Sequence, residues 1–153
     1  MIPKKCFLTA GVGKHEDKLF SFELALRDAG IEGFNLIPVS SIFPPNCDLV
    51  SKEEGLRYLN SGEIVFVVMA EDSTNEPGKT VSASVGLAYW KGGHGYLTEY
   101  SGKSGEYAEQ MARNMLKSKF GVSDEEIHST NVSISTVSNG LWTTVVAAAV
   151  FIL

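Results

Sequence analysis

The order of elements predicts an α+β fold with helices packed over mostly antiparallel sheet: two substantial helices lie among about seven strands, and hairpin signals crowd late in the chain. Two further observations support this reading. With 153 residues, 44% of them hydrophobic, the chain has enough apolar mass for one core and one domain, 1–153. Its final run, Val145 to Leu153, is apolar without interruption but far short of the ~20 residues a membrane span needs. It therefore reads as a buried strand. No internal repeat or low-complexity linker divides the sequence.

Taken in order, Cys6-Phe7-Leu8-Thr9-Ala10 is a first strand and Gly11-Val12-Gly13-Lys14 its exit turn. The glycines do not make a phosphate loop, because His15 stands where Ser or Thr should follow the lysine. Glu16 and Asp17 open a helix at its positive end; Leu19, Phe22, Leu26 and Ala29 recur on its inward face, and Gly30 closes it. Gly33 to Val39 is a second strand. Ser51-Lys52-Glu53-Glu54 forms a capping box for a short helix through Tyr58, and Ile64 to Ala70 is a strand buried on both faces. Glu71 to Gly78 reads as a solvated acidic loop, lacking the alternating ligands of a calcium site.

From Thr80 to Lys91 the larger residues Val81, Ala83, Val85, Leu87 and Tyr89 share one face. Ser82, Ser84, Gly86 and Ala88 share the other, small enough for another layer or subunit to pack closely. Gly92-Gly93-His94-Gly95 turns into Tyr96 to Tyr100 as a hairpin, with His94 expected in solvent. Ser104 caps a helix in which Tyr107, Met111, Met115 and Phe120 face inward and Gly121 stops it. Ile127 to Ser138 alternates as a strand, and Asn139-Gly140 signals a hairpin into the last strand, Leu141 to Leu153.

The net charge of -5 argues against a nucleic-acid or anionic-membrane partner, which would want a basic face, and suits a small cationic substrate better. Cys6 and Cys47 show no metal-type spacing, so free thiols in a reducing cytosol, and no metal, are the expectation. The opening Met1-Ile2-Pro3-Lys4-Lys5 precedes too short an apolar run for a signal peptide.

One stretch carries candidate chemistry, Val39-Ser40-Ser41-Ile42-Phe43-Pro44-Pro45. The Ser41 hydroxyl can reach the Ser40 carbonyl through a five-membered ring and convert the amide to an ester. Elimination across Cα–Cβ of Ser41 would release Ser40 as a carboxyl end, and the dehydroalanine left behind hydrolyses to a ketone. Such an attack needs a peptide held by its surroundings, since a relaxed planar amide is protected by resonance. The prolines restrict the backbone around them, and Ile42-Phe43 supplies an apolar anchor. A serine pair beside prolines also suits an ordinary turn, and the residues alone leave both readings open.

The run Asn35-Leu36-Ile37-Pro38-Val39-Ser40-Ser41-Ile42-Phe43-Pro44-Pro45 closely resembles the processing site of the pyruvoyl-dependent arginine decarboxylases. Three more stretches agree in order and spacing: Phe22-Glu23-Leu24-Ala25-Leu26 with Ala29-Gly30-Ile31, Pro77 to Ala83, and Glu99-Tyr100-Ser101-Gly102-Lys103. The resemblance implies a four-layer αββα sandwich, a trimer with active sites between protomers, and self-cleavage into a β fragment 1–40 and an α fragment 41–153. It implies a pyruvoyl cofactor made from Ser41, which takes the electrons left as CO2 departs, with no metal or nucleotide. It casts Ser40, Ser41 and Asn35 in processing and Glu99 as the proton donor, a role that calls for an apolar surround. Glu23 would hold the substrate guanidinium, while Leu19, Leu26, Phe34 and Ile42 surround its methylene chain. The family's usual residue at Glu23 is the shorter aspartate. A pyruvoyl decarboxylase for another amino acid, or an unprocessed binding relative, are the alternatives.

Overall fold

Strand β9 (Trp142–Ile152) is the spine of the molecule; all of it after Trp142 is buried. In the computed structural model, which describes residues 1–153, β9 lies antiparallel between β1 (Lys5–His15) and β5 (Ile64–Thr74). The short strands β2 (Asn35–Pro38) and β4 (Asp48–Leu49) run parallel to β5 and β1 at the two edges, giving the order β2-β5-β9-β1-β4. A second sheet has the order β3-β7-β6-β8, from β3 (Ile42–Phe43), β7 (Gly95–Ser101), β6 (Thr80–Tyr89) and β8 (His128–Val137).

The two sheets bury their facing sides against each other. Val145, Ala147, Ala149 and Val68 from the first meet Val81, Ala83, Val85, Leu87 and Leu97 from the second. Helix α1 (Lys18–Ala29) covers the outer face of the first sheet through Ala25 and Ala29, and the short α2 (Lys52–Leu56) lies near it. Helix α3 (Gly105–Phe120) covers the outer face of the second through Ala112 and Leu116. The result is the expected α+β, four-layer αββα sandwich. The faces of β6 divide as its alternation dictates, large residues inward and the small face under α3.

Several local expectations are corrected, and most have one cause: the outer layers sit very close. Gly11 and Gly13 are not an exit turn but part of β1, paired with Val146 and Thr144. A Cβ on either would overlap the backbone of α1 at Ala25 and Ser21, so the glycines are what let helix and strand touch. At that distance only small side chains fit between, and Ser21, Ala25 and Ala29 form the inward stripe. Of the expected stripe Ala29 is buried, Phe22 and Leu26 pack at the margin of the core, and Leu19 is 74% exposed. Likewise α3 buries Gly105, Ala108, Ala112 and Leu116, because Gly86 brings the Ala108 carbonyl down onto β6; of the expected stripe Phe120 packs against that core, while Tyr107 and Met115 are exposed. Threonine hydroxyls fasten both helices: Thr9 Oγ1 donates to the Ala29 carbonyl and Thr98 Oγ1 to that of Ala108, each at 2.6 Å.

Glu71 to Thr74 are not loop but the end of β5, held opposite Val146 to Thr143. Asn139-Gly140 does not close a hairpin: β8 pairs with β6 and β9 with β1 and β5, so the turn carries the chain from one sheet to the other. His94 is not free in solvent but packs edge-on against Tyr96 and Phe120. The caps were legible. Asp17 accepts from Phe20 N–H, Ser51 from Glu54 N–H and Ser104 from Tyr107 N–H, while Gly30 and Gly121 end their helices in the left-handed region. No helix is long and apolar enough to cross a membrane.

Candidate active site

The serine pair sits where the chain passes from the edge of one sheet to the edge of the other. Upstream, Val39 N–H donates to the Val67 carbonyl at 2.9 Å, extending the β2 edge of the first sheet. Downstream, the Ser41 carbonyl accepts from Leu97 N–H at 2.8 Å, and Ile42 and Phe43 pair with Tyr96 and Gly95 of β7. The Ser40–Ser41 peptide is thus the crossing itself, anchored on both sides. Ile42 N–H donates back to the Ser40 carbonyl at 3.0 Å, closing a tight turn about Ser41.

Within that turn the Ser41 hydroxyl donates to Glu99 Oε2 at 2.8 Å. Glu99 is reached because β3, the only strand beside β7 on this side, begins at Ile42, leaving the edge of β7 open from Thr98 onward. A cavity of about 550 Å³ opens there, lined by Ser40, Ser41, Ile42, Tyr96, Glu99 and Tyr100 among others. Glu99 is exposed on the single chain. Tyr100 is half-buried with its ring edge-on to Tyr107, centroids 5.2 Å apart. Burial first, then Tyr107 and the Glu99 carboxylate, hold its phenol above the usual range, so it stays protonated. A serine hydroxyl touching a carboxylate, with the adjacent carbonyl already bonded to an N–H, has the parts for acyl transfer to oxygen.

Not every expected residue meets at this cavity. Ser40, Ser41, Ile42 and Glu99 do. Asn35 instead donates through Nδ2 to the Gly62 carbonyl at 2.9 Å, steadying the start of β2. Glu23 lies on α1 and takes Arg27 Nε at 3.2 Å, a half-exposed pair one helical turn apart. Leu26 and Phe34 pack against the core beneath α1, and Leu19 stands in solvent. Tyr96, Tyr100 and Met115, which line the cavity, escaped the sequence reading. Tyr100 was marked by its place in the Glu99-Tyr100-Ser101-Gly102-Lys103 run, whereas Met115 looked like core because its helical spacing matched an inward face.

A four-layer sandwich that pins a serine pair between two sheet edges, with an acid on the serine hydroxyl, sets the parts of an acyl-transfer enzyme beside a peptide of its own backbone. The comparisons give the particular family. The chain belongs to the pyruvoyl-dependent arginine decarboxylase family, whose profile matches residues 5–153. It is 49% identical to a pyruvoyl-dependent arginine decarboxylase of Methanosarcina acetivorans, over all of this chain and 98% of the relative. It is 50% identical to one of Archaeoglobus fulgidus, over all of this chain and 99% of the relative. A relative of the same name from Methanocella arvoryzae is 47% identical over all of this chain and 98% of its own.

Proposed function

We propose that this chain cuts its backbone between Ser40 and Ser41, carries a pyruvoyl group at residue 41, and decarboxylates arginine to agmatine and CO2. One observation carries the reading: the 2.8 Å bond from the Ser41 hydroxyl to Glu99, on a serine whose flanking backbone is anchored to two different sheets. In the cut, Glu99 takes the hydroxyl proton as Oγ attacks the Ser40 carbonyl. The Ile42 N–H already on that oxygen steadies the charge gathering there. The C–N bond breaks as the ester forms. Elimination then frees residues 1–40 as the β fragment, and water converts the dehydroalanine heading residues 41–153 to the keto cap, releasing ammonia.

The residues present fit such a cap, because the Ser41 carbonyl rests on Leu97 N–H and does not depend on the hydroxyl carbon. The pyruvoyl group supplies an electron sink for the bond broken as CO2 leaves. Glu99 holds the proton that returns to the α-carbon, and Ile42 meets the substrate's methylene chain. The remaining binding residues come from α1 and its surroundings on a neighbouring protomer: Glu23 for the guanidinium, with Leu19, Leu26 and Phe34 beside it. The half-exposed Glu23 and exposed Leu19 suit that arrangement, and Glu23 already accepts a guanidinium N–H from Arg27. The assembly is a trimer with sites between protomers, and two unpaired cysteines suit the cytoplasm.

Intact mass is the test. Aged protein should give two masses corresponding to 1–40 and 41–153, with a borohydride-trappable carbonyl on the larger, and should release CO2 from arginine; Ser41→Ala should give one uncut, inactive chain. An unbroken, active wild-type chain would overturn the reading. The extra methylene of Glu23 leaves one rival, a pyruvoyl decarboxylase for another amino acid. Faster CO2 release from lysine than from arginine would decide for it.

A further inference from the structure

A second hollow, of about 410 Å³, opens between the loop that follows β3 and the far end of β6. Its walls include Phe43, Tyr89, Trp90, Lys91, His128 and Asn46, and it shares no lining residue with the cavity at Ser41 and Glu99. The aromatic walls are fixed in place. Phe43 and Tyr89 lie 5.2 Å apart between ring centroids, and Tyr89 and His128 5.5 Å. Trp90 is held by Phe120 at 5.0 Å and by the backbone at Gly92, where a Cβ would overlap the indole.

The charge of this hollow is opposite to what the rest of the chain suggests. The protein carries a net -5, yet no Asp or Glu lines the cavity. Lys91 is the one formal charge on its wall, and no carboxylate lies within 4.0 Å of it: the chain's ion pairs use Arg27, Lys79, Arg113 and Lys117. The imidazole of His128 and the amide of Asn46 add hydrogen-bonding capacity. Preformed aromatic walls with a few convergent polar groups are the usual make-up of a small-molecule site.

We propose that this cavity is a second ligand site, for a small molecule carrying a carboxylate or phosphate on a flat apolar body. Lys91 meets the anion, and Tyr89, Trp90 and Phe43 take the flat part. A cationic amino acid or amine is the wrong ligand here, so the site is distinct from the one proposed at Ser41 and stands whether or not that chemistry is correct.

Trp90 reports occupancy. In a Trp142→Phe background it is the only tryptophan, and its fluorescence is titrated with phenyl phosphate, benzoate, inorganic phosphate and benzylamine. Saturable change is expected with phenyl phosphate, benzoate or both; which of them binds tells a phosphate ligand from a carboxylate one. Lys91→Met should weaken that binding about tenfold, the loss of one charge-assisted contact, without moving the melting temperature. Retitration by calorimetry on the otherwise unaltered chain guards against an effect of Trp142→Phe. No saturable response to either aromatic anion, equal affinity in Lys91→Met, or equal binding of benzylamine would each overturn the proposal. Inorganic phosphate binding as tightly as phenyl phosphate would overturn the aromatic part of it.

Discussion

In the proposed reaction the carboxylate on the Ser41 hydroxyl would do two jobs that one substitution can separate. Glutamine at position 99 keeps an oxygen to accept the Ser41 hydroxyl but cannot take or return a proton. Glu99→Gln should therefore still mature, more slowly, while decarboxylation by the cut fraction falls by about 10²-fold or more. Single-turnover assays normalised to trapped carbonyl would measure this, and near-normal turnover would remove Glu99 as the proton donor. The thiols behave in the opposite way, as groups kept out of chemistry. Burial, then the Asp48 charge, pushes Cys47 up to about 11, with Lys5 opposing; burial, then Cys47, pushes Cys6 up further. The unfolded chain ionises its thiols first, near 9.0, so the Cys47 contribution to stability is complete below that pH and is lost as pH rises through about 11. Neither should react with a disulfide reagent in native protein at pH 8. Rapid native labelling of Cys47 would contradict its burial.

At the level of elements, the sequence was most readable where one residue type dominates. Strand β9 could be read from its unbroken apolar run and the helix ends from Asp17, Ser104, Gly30 and Gly121. The centres of the inward stripes of both long helices were misplaced for a reason that is physical rather than statistical, though Ala29, Phe22, Leu26 and Phe120 do meet the core. Hydrophobic spacing points to the largest side chains, but where glycines in a strand draw a helix close, the smallest ones face the sheet. The same contact makes Gly86→Ala informative. The added methyl would meet the Ala108 carbonyl and the next peptide, which cannot swing aside, so about 2–3 kcal/mol of stability should be lost. Guanidinium unfolding would show it as a lower midpoint at unchanged slope. An unchanged midpoint would mean that α3 is not seated at Gly86. The candidate site was partly legible: the family's runs point to Ser41, Glu99 and Glu23, and the fold brings only the first two together, because α1 and the β7 edge do not share a cavity within one chain.

For the whole molecule, the position of the proposed cut matters as much as its chemistry. Residues 1–40 contribute β1, α1 and β2, and β1 lies inside the first sheet, registered with β9 from Lys5 opposite Ile152 to His15 opposite Trp142. On its other side β1 carries β4, and Ala25 and Ala29 of α1 with Phe7 of β1 close the outer core against Val146, Ala148 and Val150. The severed bond would lie at a crossing between sheet edges, where no ladder runs through it. Cleavage should then remove a covalent link without removing a layer. The two fragments are expected to co-elute in native gel filtration and to separate only in denaturant. Dilution from guanidinium should restore the assembled form only when both are present, since 41–153 alone would leave one long edge of β9 unpaired. Native separation of the fragments, or a soluble and folded 41–153 by itself, would show that the first forty residues are not integral to the sandwich.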